Sequence, residues 1–310
     1  DEYDQISIGV AINKIAKIAH KYGVYVIVDA AQMAAHVPIY MSGFEDESLE
    51  IDALLFSGHK TYAPGSPGVV IARKEFMEAV EPEDVGGGMV DKVFPDNYFV
   101  SKKFPEREEA GTPNILGAIT LGAAIHVLDS IGMDLILEED KMLIQYTMDK
   151  MKDISDIYIY GDTNIENCPR AGTISFNILE LDHGLSAAIL NDYFNIAVRN
   201  ECFCAHPYVE KMLHMTHENQ INDLECQDNR LAWKVEPWMG MVRVSFGLYN
   251  NKNDVDHLIL SIKKIIANKD YYINQYNLTE DGEYKHKTFN FTSKDFFSLT
   301  GTIDKDISSK

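Results

Sequence analysis

The chain has 310 residues, of which 45% are hydrophobic and 25% charged. That length and composition suit a globular protein of about two ordinary domains and exclude general disorder. Its 28 basic residues against 48 acidic ones leave a formal net charge of −20 at pH 7, which argues against non-specific binding to nucleic acid or to an anionic membrane.

In chain order, the apolar spacing of Ile8, Ile12, Ile15, Ala16, Ala19 and Tyr22 predicts a helix over 8–22, with Gly23 as its stop. The unbroken runs 24–28, 53–57 and 68–72 predict strands buried on both faces, as in a parallel or mixed sheet. Strands alternating with helices indicate an α/β layer architecture. Residues 81–114, with Pro82, Gly86-Gly87-Gly88, Pro95, Pro105 and Pro113, read as irregular and too long for an idle connection. Thr112 is expected to cap a helix that runs to Ile131 and stops at Gly132, and a second helix is expected over 134–152.

A smaller α+β domain is expected to follow. Its predicted strands are 157–160, 172–178, 196–199 and 241–246, and its helices 183–194 and 253–267. The stretch 205–240 reads as a mostly polar connection, and everything from Asp270 onward as a polar, weakly patterned tail with aromatic residues at Phe289, Phe291, Phe296 and Phe297. The expected division is therefore 1–130, 131–269 and a tail of 270–310.

No apolar run approaches the length of a membrane-spanning helix. The opening residues Asp1-Glu2-Tyr3-Asp4 lack the basic and apolar regions of a signal peptide. Cys168, Cys202, Cys204 and Cys226 are too few and too irregularly spaced for a disulfide framework, so a reducing cytoplasm is expected. The chain starts on what reads as the middle of a domain, which suggests a fragment.

Two constellations follow buried strands. Asp29 ends the first, where open α/β sheets bind ligands and where a carboxylate needs a cation or a donor. Capping the next turn is the alternative use of that side chain. Lys60, in Ser57-Gly58-His59-Lys60, follows the second; partial desolvation there would make its amine nucleophilic, and a solvated loop lysine is the alternative. Together an Asp and a Lys at adjacent strand ends match what pyridoxal 5′-phosphate needs: an amine for a Schiff base and a carboxylate that keeps the pyridine nitrogen protonated.

These pieces resemble the class V aminotransferase-fold enzymes, in the branch of cysteine desulfurases and selenocysteine lyases. The matching stretches are VDAAQ (28–32), SGHKTYAPGSPG (57–68), GGGM (86–89), EAGTPN (109–114), NIAVRNECFCAHP (195–207) and MVRVSFGLYNN (241–251). The resemblance implies the type I fold of PLP-dependent transferases, lacking the first half of its large domain. It implies that Lys60 is the Schiff-base lysine, that Asp29 pairs with the ring nitrogen and that Gln32 bonds the phenolic oxygen. Ser57 and His59 would hold the phosphate, and Thr112 would reach the phosphate of a partner subunit in a homodimer. Arg243 would grip the substrate α-carboxylate with its guanidinium fork, with Arg199 as a weaker candidate at the same edge.

Cys204 falls where the family keeps the nucleophile that takes sulfur from cysteine, or selenium from selenocysteine, and passes it to an acceptor protein. Cys202, two residues earlier, is the other candidate. A pair of buried structural thiols, or metal ligation by Cys202, Cys204 and His206, are further readings of that run, although no second ligand cluster occurs, so no metal is expected. His183 and His206 are read either as acid–base helpers or as structural. One departure stands out: the family has Gly two residues after Arg199, and this chain has Glu201. A different class V reaction, and a non-catalytic remnant that serves in dimerisation or binding, are the alternatives to a desulfurase.

Overall fold

A computed structural model describes residues 8–165, 170, 172–213 and 240–289. The chain forms two compact units: residues 1–142 with 165–172, and residues 143–164 with 173–310. The division falls within a helix, and residues past 269 belong to the second unit.

The first unit opens with helix α1 (Ile8–His20), followed by Gly23 at φ 67°, a conformation that favours glycine and ends the helix sharply. Strands β1 (Ile27–Asp29) and β2 (Ala53–Ser57) pair in parallel, with Asp29 opposite Leu55. Strand β3 (Gly68–Ala72) returns antiparallel to β2, placing Gly68 opposite Ser57. Val28, Ala30, Ile51 and Leu54 form the buried centre, with Ile12, Ile39 and Phe56 packed against it. Burying each of the larger side chains stabilises the unit by about 1.5–3 kcal/mol.

Asp52, just before β2, fixes the start of β1. Its carboxylate is buried and accepts from the Val26 N–H (2.7 Å) and from His20 Nε2 (2.9 Å). His20 Nδ1 faces the Ser48 carbonyl at 2.8 Å, so both ring nitrogens meet acceptors and the imidazolium satisfies both.

Three expectations for this region are corrected. The strands are not buried on both faces: Ile27, Val70 and Ile71 are exposed, because β1 and β3 are the edges of a three-stranded sheet and no described element covers those side chains. The stretch 81–114 is not irregular throughout; after the short helix α2 (Lys74–Glu78) it contains an antiparallel hairpin, β4 (Val90–Val93) with β5 (Tyr98–Val100). Helix α3 (Ile115–Ile131) is capped by Asn114, not Thr112. Asn114 Oδ1 accepts from the Gly117 N–H at 2.9 Å, which puts the true cap two residues later. Gly132, at φ 96°, separates α3 from α4 (Met133–Met151).

The second unit is a four-stranded antiparallel sheet ordered β6 (Ile157–Ile159), β7 (Thr173–Ile178), β9 (Met241–Ser245), β8 (Arg199–Glu201). Helix α5 (His183–Phe194) packs on the sheet, capped by Asp182, whose carboxylate accepts from the Gly184 and Leu185 N–H groups. The short helix α6 (His206–Met212) follows β8. Helix α7 (Lys252–Ala267) begins with a reciprocal capping box between Asn251 and Asp254. Ile174, Phe176, Ile178, Ile189, Leu190 and Val242 are fully buried and make the core.

The segment from Asp270 is not a weakly patterned tail as far as residue 289. Helix α8 (Lys269–Ile273) leads into a hairpin of β10 (Tyr276–Leu278) and β11 (Tyr284–His286). Tyr272 and Tyr276 supply the buried surface that a polar composition hides. Phe291, Phe296 and Phe297, like most of the predicted connection 205–240 and Cys168 and Cys226, lie outside the described residues.

The Asp52 carboxylate holds the His20 pKa above its ordinary value of 6.5. A raised folded-state pKa gives stability that is fully present below the unfolded pKa and is lost as pH rises through the folded one. Urea midpoints are therefore expected to drop between pH 6 and pH 9 by more in the parent chain than in His20→Gln; equal drops would contradict the pairing.

Candidate active site

The candidate residues fall into two clusters, one per unit. In the first, the parallel register of β1 and β2 brings Asp29 and Ser57 to the same, carboxyl-terminal edge of the sheet. The Asp29 carboxylate divides its work. Oδ1 accepts from the Ala31 N–H at 2.9 Å, which is the local turn-capping role, and Oδ2 has no hydrogen bond among the described residues. Downstream, His36 Nδ1 donates to Asp140 Oδ2 at 2.7 Å; this buried pair anchors the turn that carries Asp29 and Gln32 to α4.

Ser57 ends β2, and residues 58–60 form a single 3₁₀ turn. The chain is therefore not extended there, and the alternation that would put Ser57 and His59 on one side does not apply. Thr61 and Ala63 N–H groups both bond the Gly58 carbonyl, at 2.9 and 3.1 Å, and Thr61 Oγ1 bonds the Ser57 carbonyl at 3.1 Å. Glycine is required at 58, because a Cβ there would overlap Ser66 Oγ. That hydroxyl is buried and has no hydrogen bond among the described residues. Lys60 is exposed, so the described residues do not supply the partial desolvation expected for it. It makes no ion pair or hydrogen bond among those residues.

Asn114 joins this loop to α3. While Oδ1 caps the helix, Nδ2 donates to the Gly65 carbonyl at 2.7 Å. Thr112, relieved of the capping role, is exposed two residues before it.

In the second cluster, Arg199 on β8 lies directly opposite Arg243 on β9. Opposed side chains on neighbouring antiparallel strands share one face about 5 Å apart. Arg243 is half-buried, and its Nε is buried without a hydrogen bond among the described residues. Its guanidinium sits 4.8 Å from the centre of the Phe203 ring, a cation–π contact. Burial first, and then the Arg199 charge, push its pKa down. Two guanidiniums side by side, one with an unused buried donor, form a site to which an anion brings charge balance.

Between them runs the cysteine loop. Glu201, Phe203 and Cys204 all have positive φ, at 74°, 53° and 65°. Glu201 thus occupies the left-handed conformation for which the resembled family carries glycine, so the departure in sequence leaves the backbone shape in place at a cost in strain. Cys204 is exposed. Cys202 is buried against Tyr160, Val209 and Met241, and burial, followed by the Glu210 and Glu201 carboxylates, pushes its thiol pKa up. Of the two, Cys204 is the one open to solvent, and Cys202 packs among apolar side chains. Cys202, Cys204 and His206 are not gathered into a metal-holding group.

His183 supports the loop from below. Its Nδ1 accepts from Asn200 Nδ2 at 3.4 Å, and burial pushes its pKa down. Gly240 leaves it room: a Cβ there would stand 2.8 Å from His183 Nε2 and 2.7 Å from the Glu201 Cα. Asn177, on β7, is fully buried. Its Nδ2 donates to the Gly240 carbonyl (2.9 Å) and Tyr160 Oη (3.0 Å), and its Oδ1 accepts from the Val242 N–H (3.2 Å). Sequence reasoning missed Asn177, Asn114 and Ser66. Asn177 carried a signal, as a lone amide inside an apolar strand.

A family model described as Aminotransferase class-V matches residues 8–258. A probable cysteine desulfurase of Halalkalibacterium halodurans is 35% identical over 262 residues, which cover 84% of this chain and 55% of that protein. Among solved structures, the apo cysteine desulfurase of Thermococcus onnurineus matches with a TM-score of 0.67 at 32% identity, over 84% of this chain and 57% of that one. An S-sulfonic acid form of the cysteine desulfurase CsdA of Escherichia coli matches with a TM-score of 0.65 at 27% identity, over 83% and 55%. The chain belongs to the class V aminotransferase family and has its α/β fold. It spans about half the length of the curated relatives it matches.

Replacing an exposed non-glycine residue at positive φ relieves about 1 kcal/mol of strain, less the entropy that glycine returns to the unfolded chain. Glu201→Gly is therefore expected to raise stability by a few tenths of a kcal/mol up to about 1 kcal/mol, read as a higher denaturant midpoint. A drop of that size would mean that the Glu201 side chain makes a stabilising contact.

Proposed function

We propose that this chain is part of a PLP-dependent cysteine desulfurase, taking sulfur from cysteine or selenium from selenocysteine. The observation that carries the reading is Cys204, an exposed thiol on a left-handed turn beside the Phe203-stacked guanidinium of Arg243. The relatives named above as cysteine desulfurases support it.

The donor set of the first unit fits the cofactor. Lys60 offers an exposed amine, Asp29 a carboxylate oxygen without a hydrogen bond, and Ser57, His59 and the buried Ser66 hydroxyl offer donors of the kind a phosphate takes. When bound, PLP supplies an electron sink that weakens the bonds to the substrate α-carbon. Asp29 would hold a proton on the ring nitrogen and Gln32 would bond the phenolic oxygen. Ser57 and His59 would hold the phosphate. Lys60 would anchor the aldehyde and move protons at the α-carbon through Nζ.

Arg243, aided by Arg199, would orient the substrate by its α-carboxylate. Cys204 would accept the substrate sulfur: cysteine and the Cys204 thiol go in, alanine and a Cys204 persulfide come out, and atoms and electrons balance without a further oxidant. An acceptor protein would then receive the persulfide sulfur. Because Cys204 must be a thiol to act, the reading places the protein in a reducing compartment, the cytoplasm. It also includes a homodimer in which Thr112 reaches the phosphate of a second copy. Exposed Thr112 and the exposed apolar Ile115, Leu116 and Ile119 beside it support that arrangement.

The test is a titration of the protein with PLP, followed in the visible range, and then a sulfide assay with cysteine and a reductant. Lys60→Ala is expected to lose the visible band. Cys204→Ala is expected to keep the band and lose sulfide release by about 100-fold or more, as removal of a nucleophile does. Sulfide release at the parent rate by Cys204→Ala would overturn the assigned role.

A further inference from the structure

We propose that the hairpin β10–β11 is a brace for the cysteine loop, with Tyr284 as a positioning residue that acts on that loop through the first turn of α5. The contacts stand by themselves; their catalytic meaning rests on the reading of Cys204 as sulfur acceptor.

The hairpin lies beyond residue 258, where the match to the family ends. It is fastened to α5 at both of its strands. Tyr276 Oη donates to Asp192 Oδ2 at 3.0 Å. On the other strand, His286 Nδ1 accepts from the Phe289 N–H at 2.9 Å, which puts the ring proton on Nε2, and Nε2 donates to Tyr193 Oη at 2.8 Å. Tyr193 also stacks edge-on against Tyr272, with ring centres 4.9 Å apart. The hairpin and α5 are thus joined through the Tyr276 hydroxyl, which also lies 3.4 Å from the Ala188 carbonyl, and through the His286 ring, with an aromatic contact tying α5 to α8.

The third contact is the one that reaches the site. At Gly184, a Cβ would stand 3.1 Å from Asp182 Oδ1, 3.4 Å from the Tyr284 ring and 3.5 Å from Asn200 Nδ2. The Tyr284 ring, the cap carboxylate and the Asn200 amide therefore border the same few ångströms. The Tyr284 phenol is pushed up to about 12 by burial and by the Asp182 charge, in keeping with that position. Asn200 sits between Arg199 and Glu201 and bonds His183, and His183 in turn lies against Gly240 near the Glu201 backbone. Tyr284, Asp182 and Asn200 thus all border Gly184 in the first turn of α5, and Asn200 and His183 lead from that turn to the first left-handed residue of the loop.

Such a loop needs support. Three non-glycine residues at positive φ within four positions are strained and persist only where the surroundings over-determine them. The strand β8 supplies three residues of pairing on one side. The brace supplies the other side, from a segment outside the family match.

Hydrogen exchange of the full chain tests this, together with the rate at which iodoacetamide alkylates Cys204. Tyr284→Ala is expected to speed exchange over residues 199–205 at least tenfold and to change the Cys204 alkylation rate at least threefold, with exchange in β6 and β7 within twofold of the parent. Tyr284→Phe, which keeps the ring, is expected to restore both. Tyr276→Phe removes only the hydroxyl tether and is expected to give a smaller rise in the same segment; it decides the matter if Tyr284→Ala does not fold. Unchanged exchange over 199–205 in these variants, or a rise spread evenly over the second unit, would overturn the proposal. Neither readout needs turnover, so loss of the brace and failure of the desulfurase reading are told apart: a parent chain without sulfide release leaves the exchange result intact.

Discussion

Strand β9 has to enter the second unit between β7 and β8, and one buried amide enforces that entry. Asn177 bonds both the Gly240 carbonyl and the Val242 N–H, so it grips the strand at its first residues. The arrangement of the arginine edge follows from this grip. The register that sets Arg243 opposite Arg199, and the close approach of Gly240 to the Glu201 backbone, both depend on where β9 begins. An amide left buried without partners costs about 1–3 kcal/mol, so the satisfied pattern also selects against a slipped register, which would move every side chain of β9 to the opposite face.

The candidate site side chains sit where regular structure stops. Asp29 is the last residue of β1, Ser57 the last of β2, and Lys60 closes a single 3₁₀ turn. Cys204 follows β8 by three residues. Strands fix their ends in place while the end itself is free to carry polar groups that a ladder could not tolerate. Glycine at 58 and the Asn114 bond to Gly65 then hold the lysine loop against its neighbours without adding bulk at the edge. The two clusters differ in backbone economy. The lysine loop holds one non-glycine residue, Tyr62 at φ 58°, in a left-handed conformation, whereas the cysteine loop holds three.

Much of this was legible in the sequence for a physical reason. Buried strands need continuous apolar runs, so a charged residue at the end of such a run, like Asp29 or Lys60, stands out against its surroundings. Helix α5 has the limits read from the sequence, and the structure closes them with the Asp182 cap and Asn195 at a left-handed φ of 54°. What failed depended on partners distant in the chain. Thr112 and Asn114 are equally good caps by residue type, and only the Gly117 N–H and the Gly65 carbonyl decide between them. The hairpin 276–286 has two three-residue strands, too short for a periodic signal, and is held by contacts of Tyr276 and His286 with α5 that no local pattern reveals. The exposure of Ile27 and Val70 was likewise invisible, since an apolar run announces a need for cover but not whether cover is supplied.

Cys204, and not Cys202, is the residue proposed to take the sulfur. The most direct measurement is mass spectrometry of thiol-trapped peptides after the PLP-supplied protein has been mixed with cysteine labelled with heavy sulfur. A labelled persulfide on Cys204 is expected, with Cys202 recovered as an unmodified thiol. Label on Cys202, or label on neither cysteine while labelled sulfide accumulates, would contradict it.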